Sequence, residues 1–329
     1  MDINQNSFGT RLRSLRKSRG LLGIKLAEDL KIGSNTLSQW ESGAREPNYD
    51  VLCRLAEYFG VSTDYLLGRE GEGEEAPYIP RDFHYPRDPR CFYKPVEIRF
   101  CDCDRHKRAR IQTLLKIMAD IAGVAYAARG YSHAWLWEHH SVFLLTRAAI
   151  RVRRMPAADE TVVVETWETG IKGAQYYRDF TFFDREGNRI VEGQTAWVVV
   201  DPVSRAIQKP SAFPGHFEPI PDKVADTLPP ARLKPEGEYL AQGERVIVYS
   251  DIDGNGHTYN AVYGGIACDF LPADLMERRL TDFRINFKQE ALLGEILTIQ
   301  TSLQPNRASV VGRLGDTISF ECEFLFAEE

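Results

Sequence analysis

The chain has 329 residues, 43% hydrophobic and 27% charged, a globular composition with apolar material for more than one core. A formal charge of −6 excludes whole-molecule attraction to nucleic acid and leaves only local basic surfaces for that role. With no basic or apolar leader and no apolar run near the ~20 residues of a membrane span, a cytoplasmic protein without membrane insertion is expected.

Five short helices are predicted over residues 1–69. Phe8, Leu12 and Leu15 recur at helical spacing and Gly20 closes their segment. Leu26, Ala27 and Leu30 mark a second helix, with Ile32-Gly33 as the turn after it. Ser34 is expected to cap a third, over 35–41, which turns Leu37 and Trp40 or Glu41 inward and leaves Asn35, Thr36, Ser38 and Gln39 outward. Asn48 caps a fourth carrying Val51, Leu52, Leu55, Ala56 and Phe59, and a fifth follows Ser62 to Leu67-Gly68. Helices this short cannot each bury a stripe alone, so they demand one compact bundle. Residues 1–70 hold ten Lys or Arg against nine Asp or Glu, yet Arg11, Arg13, Arg16, Lys17 and Arg19 gather in or just after the first helix. The residues leave two readings of that face, phosphate contact or a solvated side of a protein-binding bundle.

The segment resembles the helix-turn-helix domain of the Xre/phage-repressor family, through KLAEDLKIGSNTLSQW and the W-E-x-G-x-x-x-P run at 40–47. The resemblance implies double-stranded DNA as a partner, with Arg11, Arg16 and Lys17 on phosphates and Ser34, Asn35, Thr36, Ser38 and Gln39 reading bases. Gly23 stands where that family usually has a Gln that contacts phosphate, which implies weaker or altered binding. One recognition helix makes few phosphate contacts, so a homodimer on DNA is expected.

Residues 70–92 run from an acidic Gly/Glu tract into prolines interleaved with aromatic residues, and read as a tether that stiffens into an arm. The next block, 93–208, opens with a strand through Val96, Ile98 and Phe100 that exits into Asp102 and Asp104. A long helix follows from Ile111, with small residues at Ala119, Ala122, Gly123 and Ala127 that suit close wrapping by a sheet. Four alternating segments come after it, SVFLLTRAAIRVRR, ETVVVETWETG, YYRDFTFFDREG and NRIVEGQTAWVVVD. Trp167 and Trp197 read as core, and His133, His139 and His140 lack metal spacing. The six cysteines form no metal or disulfide pattern; Cys101 and Cys103, at strand periodicity, would share one face as free thiols.

A proline-rich crossing fills 209–240, and 241–329 then repeats the order of one strand, one helix and four strands. Between its first strand and its helix lies DIDGNGHTYNAVY, at 251–263. An ordinary turn accounts for Gly254, Gly256 and an Asx residue but has no use for His257.

The motif D-x-D-x-N-x-H-x-x-N-x-x-Y, followed by Glu290 in FRINFKQE, resembles the second-domain signature of the plant-type acyl-acyl carrier protein (acyl-ACP) thioesterases and their bacterial relatives. ETWETG, the RDF at 178–180, and QTAWVVVD with Ser204-Arg205-Ala206 and Pro210 extend the likeness to the first block. The resemblance implies a multidomain protein, an all-α helix-turn-helix domain followed by an α+β tandem hotdog. It also implies a catalytic set of Asp253, Asn255, His257 and Glu290, and an acyl cavity supplied by the first hotdog, for which Met118, Trp135 and Trp137 are candidates. Asn260 and Tyr263 are expected to support the turn. Ala291 stands where the family often has a cysteine, so no thiol is required, and no metal or cofactor is expected. A thioester needs a positioned water, a base and donors for the developing oxyanion; whether Glu290 or His257 takes the proton stays open. The expected activity is hydrolysis of acyl-ACP or acyl-CoA. The rivals are an acyl-sensing transcription regulator without turnover, and a structural adaptor.

Overall fold

The computed structural model describes residues 7–18, 21–59, 61–68, 83–85, 87–234 and 237–328. Arg19, Gly20, the tether over 69–82, Pro86 and Pro235 lie outside the described residues. The chain divides into two compact units, Met1–Pro80 and Arg81–Glu329.

The first unit contains α1 (Phe8–Ser18), α2 (Gly23–Asp29), α3 (Ser34–Glu41), α4 (Tyr49–Phe59) and α5 (Thr63–Leu67). Leu12, Leu26, Leu55 and Leu66 are fully buried and meet Leu37, Trp40 and Phe59 in one core. Each such leucine contributes about 1.5–3 kcal/mol. Asn48 Oδ1 accepts the Val51 N–H at 3.0 Å and Ser62 Oγ that of Tyr65 at 2.8 Å, so both expected caps form. Gly68, at φ 74°, closes α5 in the left-handed region that favours glycine. At α3 the expectation fails by one residue, because Gly33 is the cap and Ser34 the first helical residue. Trp40 and Glu41 both face inward.

In the second unit β1 (Phe92–Glu97) leads to α6 (Ile111–Ala127), the short α7 (His133–Glu138), and β2 (Val142–Val152), β3 (Thr161–Lys172), β4 (Gln175–Phe183) and β5 (Arg189–Val200). The order recurs as β6 (Leu240–Val246), α8 (Asn260–Asp269), the short α9 (Ala273–Glu277), and β7 (Leu280–Phe287), β8 (Ile296–Gln304), β9 (Arg307–Leu314) and β10 (Thr317–Phe326). All ten strands form one antiparallel sheet in the order β1-β3-β4-β5-β2-β7-β10-β9-β8-β6. Each five-strand half carries one long helix, and the halves join where β2 pairs with β7 from Arg147↔Asn286 to Arg151↔Asp282. This is a tandem hotdog with one apolar core running through both halves. The helices α6 and α8 touch at Gly264, where a Cβ would sit 2.8 Å from Leu115 Cδ1.

Two local expectations are corrected. Of the four small residues expected to face the sheet only Ala122 is buried; Ala119 and Ala127 are half-buried, Gly123 is exposed, and a Cβ on Gly123 would meet nothing within 4 Å. The side chains that pack are the large ones, including Leu114, Leu115, Met118 and Ile121, so the small stripe borders open space instead of the sheet. Cys101 and Cys103 do not share a strand face either. A 3-10 turn at Phe100–Asp102 exposes the first and buries the second. Trp167 is core, its Nε1 donating to Lys223 O at 2.7 Å, and Trp197 packs half-buried against the core.

Candidate active site

The turn between β6 and α8 is built around the Asp253 carboxylate. Its Oδ1 accepts the backbone N–H of Asn255 at 2.8 Å and of His257 at 3.4 Å, while the Asp253 N–H donates to His257 O at 2.9 Å. Gly256 takes φ 82°, a conformation that needs glycine, and its N–H closes onto Asp253 O at 3.0 Å. Asp253 therefore fixes the loop through backbone amides and does not touch the imidazole ring. Asn255 stands exposed at the tip, and its side-chain amide makes no hydrogen bond among the described residues.

Glu290 lies in the connection just after β7, outside any strand. Its neighbour Ala291 stitches the two loops together. Ala291 O accepts both Thr258 N–H at 3.1 Å and Thr258 Oγ1–H at 2.7 Å, and Ala291 N–H donates to the buried Tyr263 Oη at 2.9 Å. This brings His257 Nε2 to 3.4 Å from Glu290 Oε2, with both side chains part-exposed. Asn260 is the first residue of α8, behind Tyr259 at the cap position. The Tyr259 hydroxyl donates to Asp120 Oδ1 on α6 at 3.2 Å, tying the site to the open stripe of that helix.

A third group completes the cluster. Beyond β5, Asp201 Oδ1 accepts the N–H of Val203 at 3.0 Å and of Ser204 at 2.6 Å, and Asp201 O that of Arg205 at 2.8 Å. The tight turn puts Arg205 at φ 59° and aims its guanidinium across to the second half. Nη2 pairs with Glu290 Oε2, and Nη1 lies 3.2 Å from His257 Nε2. Ser204-Arg205-Ala206 enters the sequence reading only through the family likeness; an aspartate opening a five-residue turn that ends on a basic side chain signals the turn but not its reach to the second half.

The three cavity candidates are not brought together. Met118 is buried against Gly193 of β5, and Trp137 is 51% exposed on α7. Trp135 is half-buried in a cluster of aromatic rings, 4.9 Å from Tyr131, which continues to Tyr126, Phe143 and Phe213. Burial pushes the Cys268 thiol up to about 12 and that of Cys322 well above its ordinary value. Among the described residues no group of His, Cys, Asp and Glu is arranged to hold a metal, and no helix is long and apolar enough to cross a membrane.

In the first unit Ser34, Asn35, Ser38 and Gln39 are exposed along α3 and Thr36 is half-buried. Lys17 is exposed, and Arg11 lies with its guanidinium 5.4 Å from the Tyr65 ring. Arg16 corrects the expectation of a phosphate contact. Its Nε and Nη2 fork onto the buried Glu41 at 2.6 and 2.8 Å and its Nη1 donates to Leu21 O at 2.9 Å, so it braces α1 against α3.

Residues 89–211 match the acyl-ACP thioesterase N-terminal domain and residues 239–323 the acyl-ACP thioesterase C-terminal domain. The chain belongs to the acyl-ACP thioesterase family. This thioesterase-family chain carries in addition a helix-turn-helix domain, matched over residues 9–72. It is 22% identical over 255 residues to the chloroplastic palmitoyl-acyl carrier protein thioesterase of Arabidopsis thaliana, an alignment that takes in 73% of this chain and 61% of the relative. Over 64 residues, 20% of this chain and 50% of the relative, it is 44% identical to the HTH-type transcriptional regulator ImmR of Bacillus subtilis. The chain thus spans between half and two thirds of the length of these relatives. A crystal structure of an acyl-ACP thioesterase from Bacteroides thetaiotaomicron superimposes with a TM-score of 0.67 at 22% identity, covering 73% of this chain and 98% of that one. The 12:0-ACP thioesterase of Umbellularia californica superimposes at 0.61 and 14% identity, covering 74% and 100%. Both share the tandem-hotdog fold.

Proposed function

We propose that this chain hydrolyses a fatty-acyl thioester carried on acyl carrier protein, or on coenzyme A, to a free fatty acid and the carrier thiol. The observation that carries the reading is the meeting of His257, Glu290 and Arg205 at the start of α8. Glu290 Oε2 is taken up by Arg205, while its Oε1 makes no hydrogen bond among the described residues and is left to accept a proton from water. Arg205 Nη1 lies 3.2 Å from His257 Nε2, and a hydrogen bond donated there would place the ring proton on Nδ1. In this reading Glu290 is the water base, and His257 orients the water or hands a proton to the leaving thiolate. The exposed Asn255 amide supplies an N–H for the developing oxyanion, beside the positive end of α8. The acyl chain lies along the open Ala119-Gly123-Ala127 stripe of α6, toward the aromatic cluster that holds Trp135.

The helix-turn-helix unit binds double-stranded DNA as a homodimer through Asn35, Ser38 and Gln39, with Lys17 on the backbone. Its exposed α3 face also supports the second reading, a regulator that senses acyl groups without turnover.

Steady-state release of thiol from an acyl-ACP panel decides between them. Glu290→Ala and His257→Ala should each lower turnover by roughly two orders of magnitude or more. No turnover by the native chain, or an E290A rate equal to it, would sink the hydrolase reading and leave the sensor. Selection of bound genomic fragments tests the DNA reading, and Asn35→Ala with Gln39→Ala should abolish the selected preference while leaving hydrolysis unchanged.

A further inference from the structure

The turn that builds the active site occurs twice. In the first half Asp104 N–H donates to Arg108 O at 2.7 Å, as Asp253 does to His257, and Asp104 Oδ1 accepts the N–H of His106 at 2.8 Å and Arg108 at 3.0 Å. Lys107 takes φ 59° where Gly256 takes 82°, and donates to Asp104 O at 2.9 Å as Gly256 does to Asp253. A bridge Cys103↔Ala109 matches Ile252↔Thr258. Ala109 N–H donates to Pro156 O at 2.8 Å as Thr258 does to Ala291 O, and Ala157 N–H reaches Glu160 Oε2 at 2.8 Å as Leu292 reaches Glu295 at 2.7 Å. The backbone frame of the site is therefore present in both halves. His106 stands in the place of Asn255, Arg108 of His257, Arg110 of Tyr259 and Met155 of Glu290.

These replacements remove the chemistry and keep the hole. A cavity of about 250 Å³ opens beside this second turn, walled by Met155, Met276, Leu280 and Phe326. No carboxylate stands at 155 to take a proton from water and no imidazole stands at 108. Arg108, Arg110 and Arg278 line the cavity against two carboxylates, Asp104 and Asp269. Arg108 is engaged by Asp104 at 3.0 Å, and Arg278 donates to Asn306 Oδ1 at 2.6 Å and Ala327 O at 3.0 Å. Arg110 is exposed, its Nη1 makes a long hydrogen bond of 3.4 Å to Cys101 O, and Asp269 faces it. An apolar slot below the usual ~300–1,000 Å³ of compact drug-sized ligands, with a cation at its mouth, fits a chain with a charged end.

We propose that this cavity is a second, non-hydrolytic site that binds an acyl chain with an anionic head, the head held by Arg110 and the chain by Met155, Met276, Leu280 and Phe326. It rests on the hydrolase reading only for the source of the ligand, since that reaction supplies the fatty-acid carboxylate and its substrates carry phosphate on the carrier arm.

Equilibrium dialysis of radiolabelled dodecanoate, and separately dodecanoyl-CoA, against the full chain bearing Glu290→Ala counts bound molecules without turnover. Two per chain are expected, falling to one when either Met155→Trp or Met276→Trp fills the slot. Arg110→Glu should weaken the variant-sensitive site at least tenfold, and dodecanol should bind it at least tenfold more weakly than dodecanoate. Tighter binding of dodecanoate identifies the free acid as occupant, and tighter binding of dodecanoyl-CoA the thioester. Binding that both tryptophan variants leave unchanged overturns the site, and binding indifferent to Arg110→Glu and to loss of the charged head overturns the assignment of the head. Absence of hydrolysis by the native chain would remove the proposed reaction without altering these counts.

Discussion

Arg205 reaches the site from the first half of the sheet, and its two nitrogens hold the two groups that carry the proposed chemistry. Arg205→Ala should lower kcat at least tenfold with a smaller change in KM, because the loss falls on the geometry of base and imidazole. Arg205→Lys keeps the charge but not the fork, so it should recover only part of that rate; equal rates for R205A and the native chain would remove the residue from the mechanism. Nothing in the sequence made this contact legible, since 52 residues separate Arg205 from His257 and 85 separate it from Glu290. Only the pairing of β2 with β7 closes the distance. A second residue carries a pH signature. Asp179 on β4 is fully buried, and burial pushes its carboxyl up to about 6 although Ala225 N–H donates to it at 2.8 Å and Gln194 Nε2 at 3.0 Å. Below about pH 4 the group is protonated folded or unfolded; between there and pH 6 the unfolded chain gives up its proton first, so stability falls as pH rises, by about 3 kcal/mol for two pKa units. Asp179→Asn cannot titrate. Urea unfolding of both chains at pH 4 and pH 7 should show the stability difference moving in favour of the variant by about that amount.

At the scale of elements, α6 shows how far a pattern can be read. Its existence and length were legible from the sequence, while its packing face was not, and the caps Asn48 and Ser62 were legible because a cap is a local contact. The meaning of the small stripe was not, since small side chains occur both where backbones meet closely and where a channel must stay empty. Gly264 on α8 is the first case, and the acyl channel proposed above would make Gly123, exposed with nothing within 4 Å of a Cβ, the second. Gly123→Ala should stabilise the unit by about 0.5–1 kcal/mol, the intrinsic helical preference, because its Cβ meets nothing. Gly123→Leu should fill the stripe and cut turnover of long acyl chains at least tenfold while sparing short ones. A chain-length profile unchanged in G123L would move the acyl site elsewhere. The repeated turn was hidden for a different reason. Hydrogen bonds from backbone to one aspartate define it, and Asp104-x-His106-x-Arg108 shares with Asp253-x-Asn255-x-His257 only that aspartate.

For the whole molecule, both the order of elements and its repetition were readable from alternating segments, yet the joining of the halves was not. A five-strand half with an unpaired β2 or β7 would be complete by local criteria, and only their complementary registers make a ten-strand sheet. Acyl binding and DNA binding, if both occur, are linked reciprocally, so an acyl-ACP that shifts operator affinity must itself be bound differently by the DNA complex; gel-shift titration with the E290A chain should find the same factor in both directions. The long sheet also has just two ends. Among the described residues β1 pairs only with β3 and β6 only with β8. A strand end with free backbone groups is a template for polymerisation, and both ends here are blunted. β1 carries Lys94 and Pro95, whose nitrogen has no proton to give, while β6 is interrupted by a register shift at Gly243 and carries the exposed Glu244 and the half-buried Arg245. Copies of the chain are thereby discouraged from growing into fibrils, and any pairing between them is directed to helices and sheet faces instead.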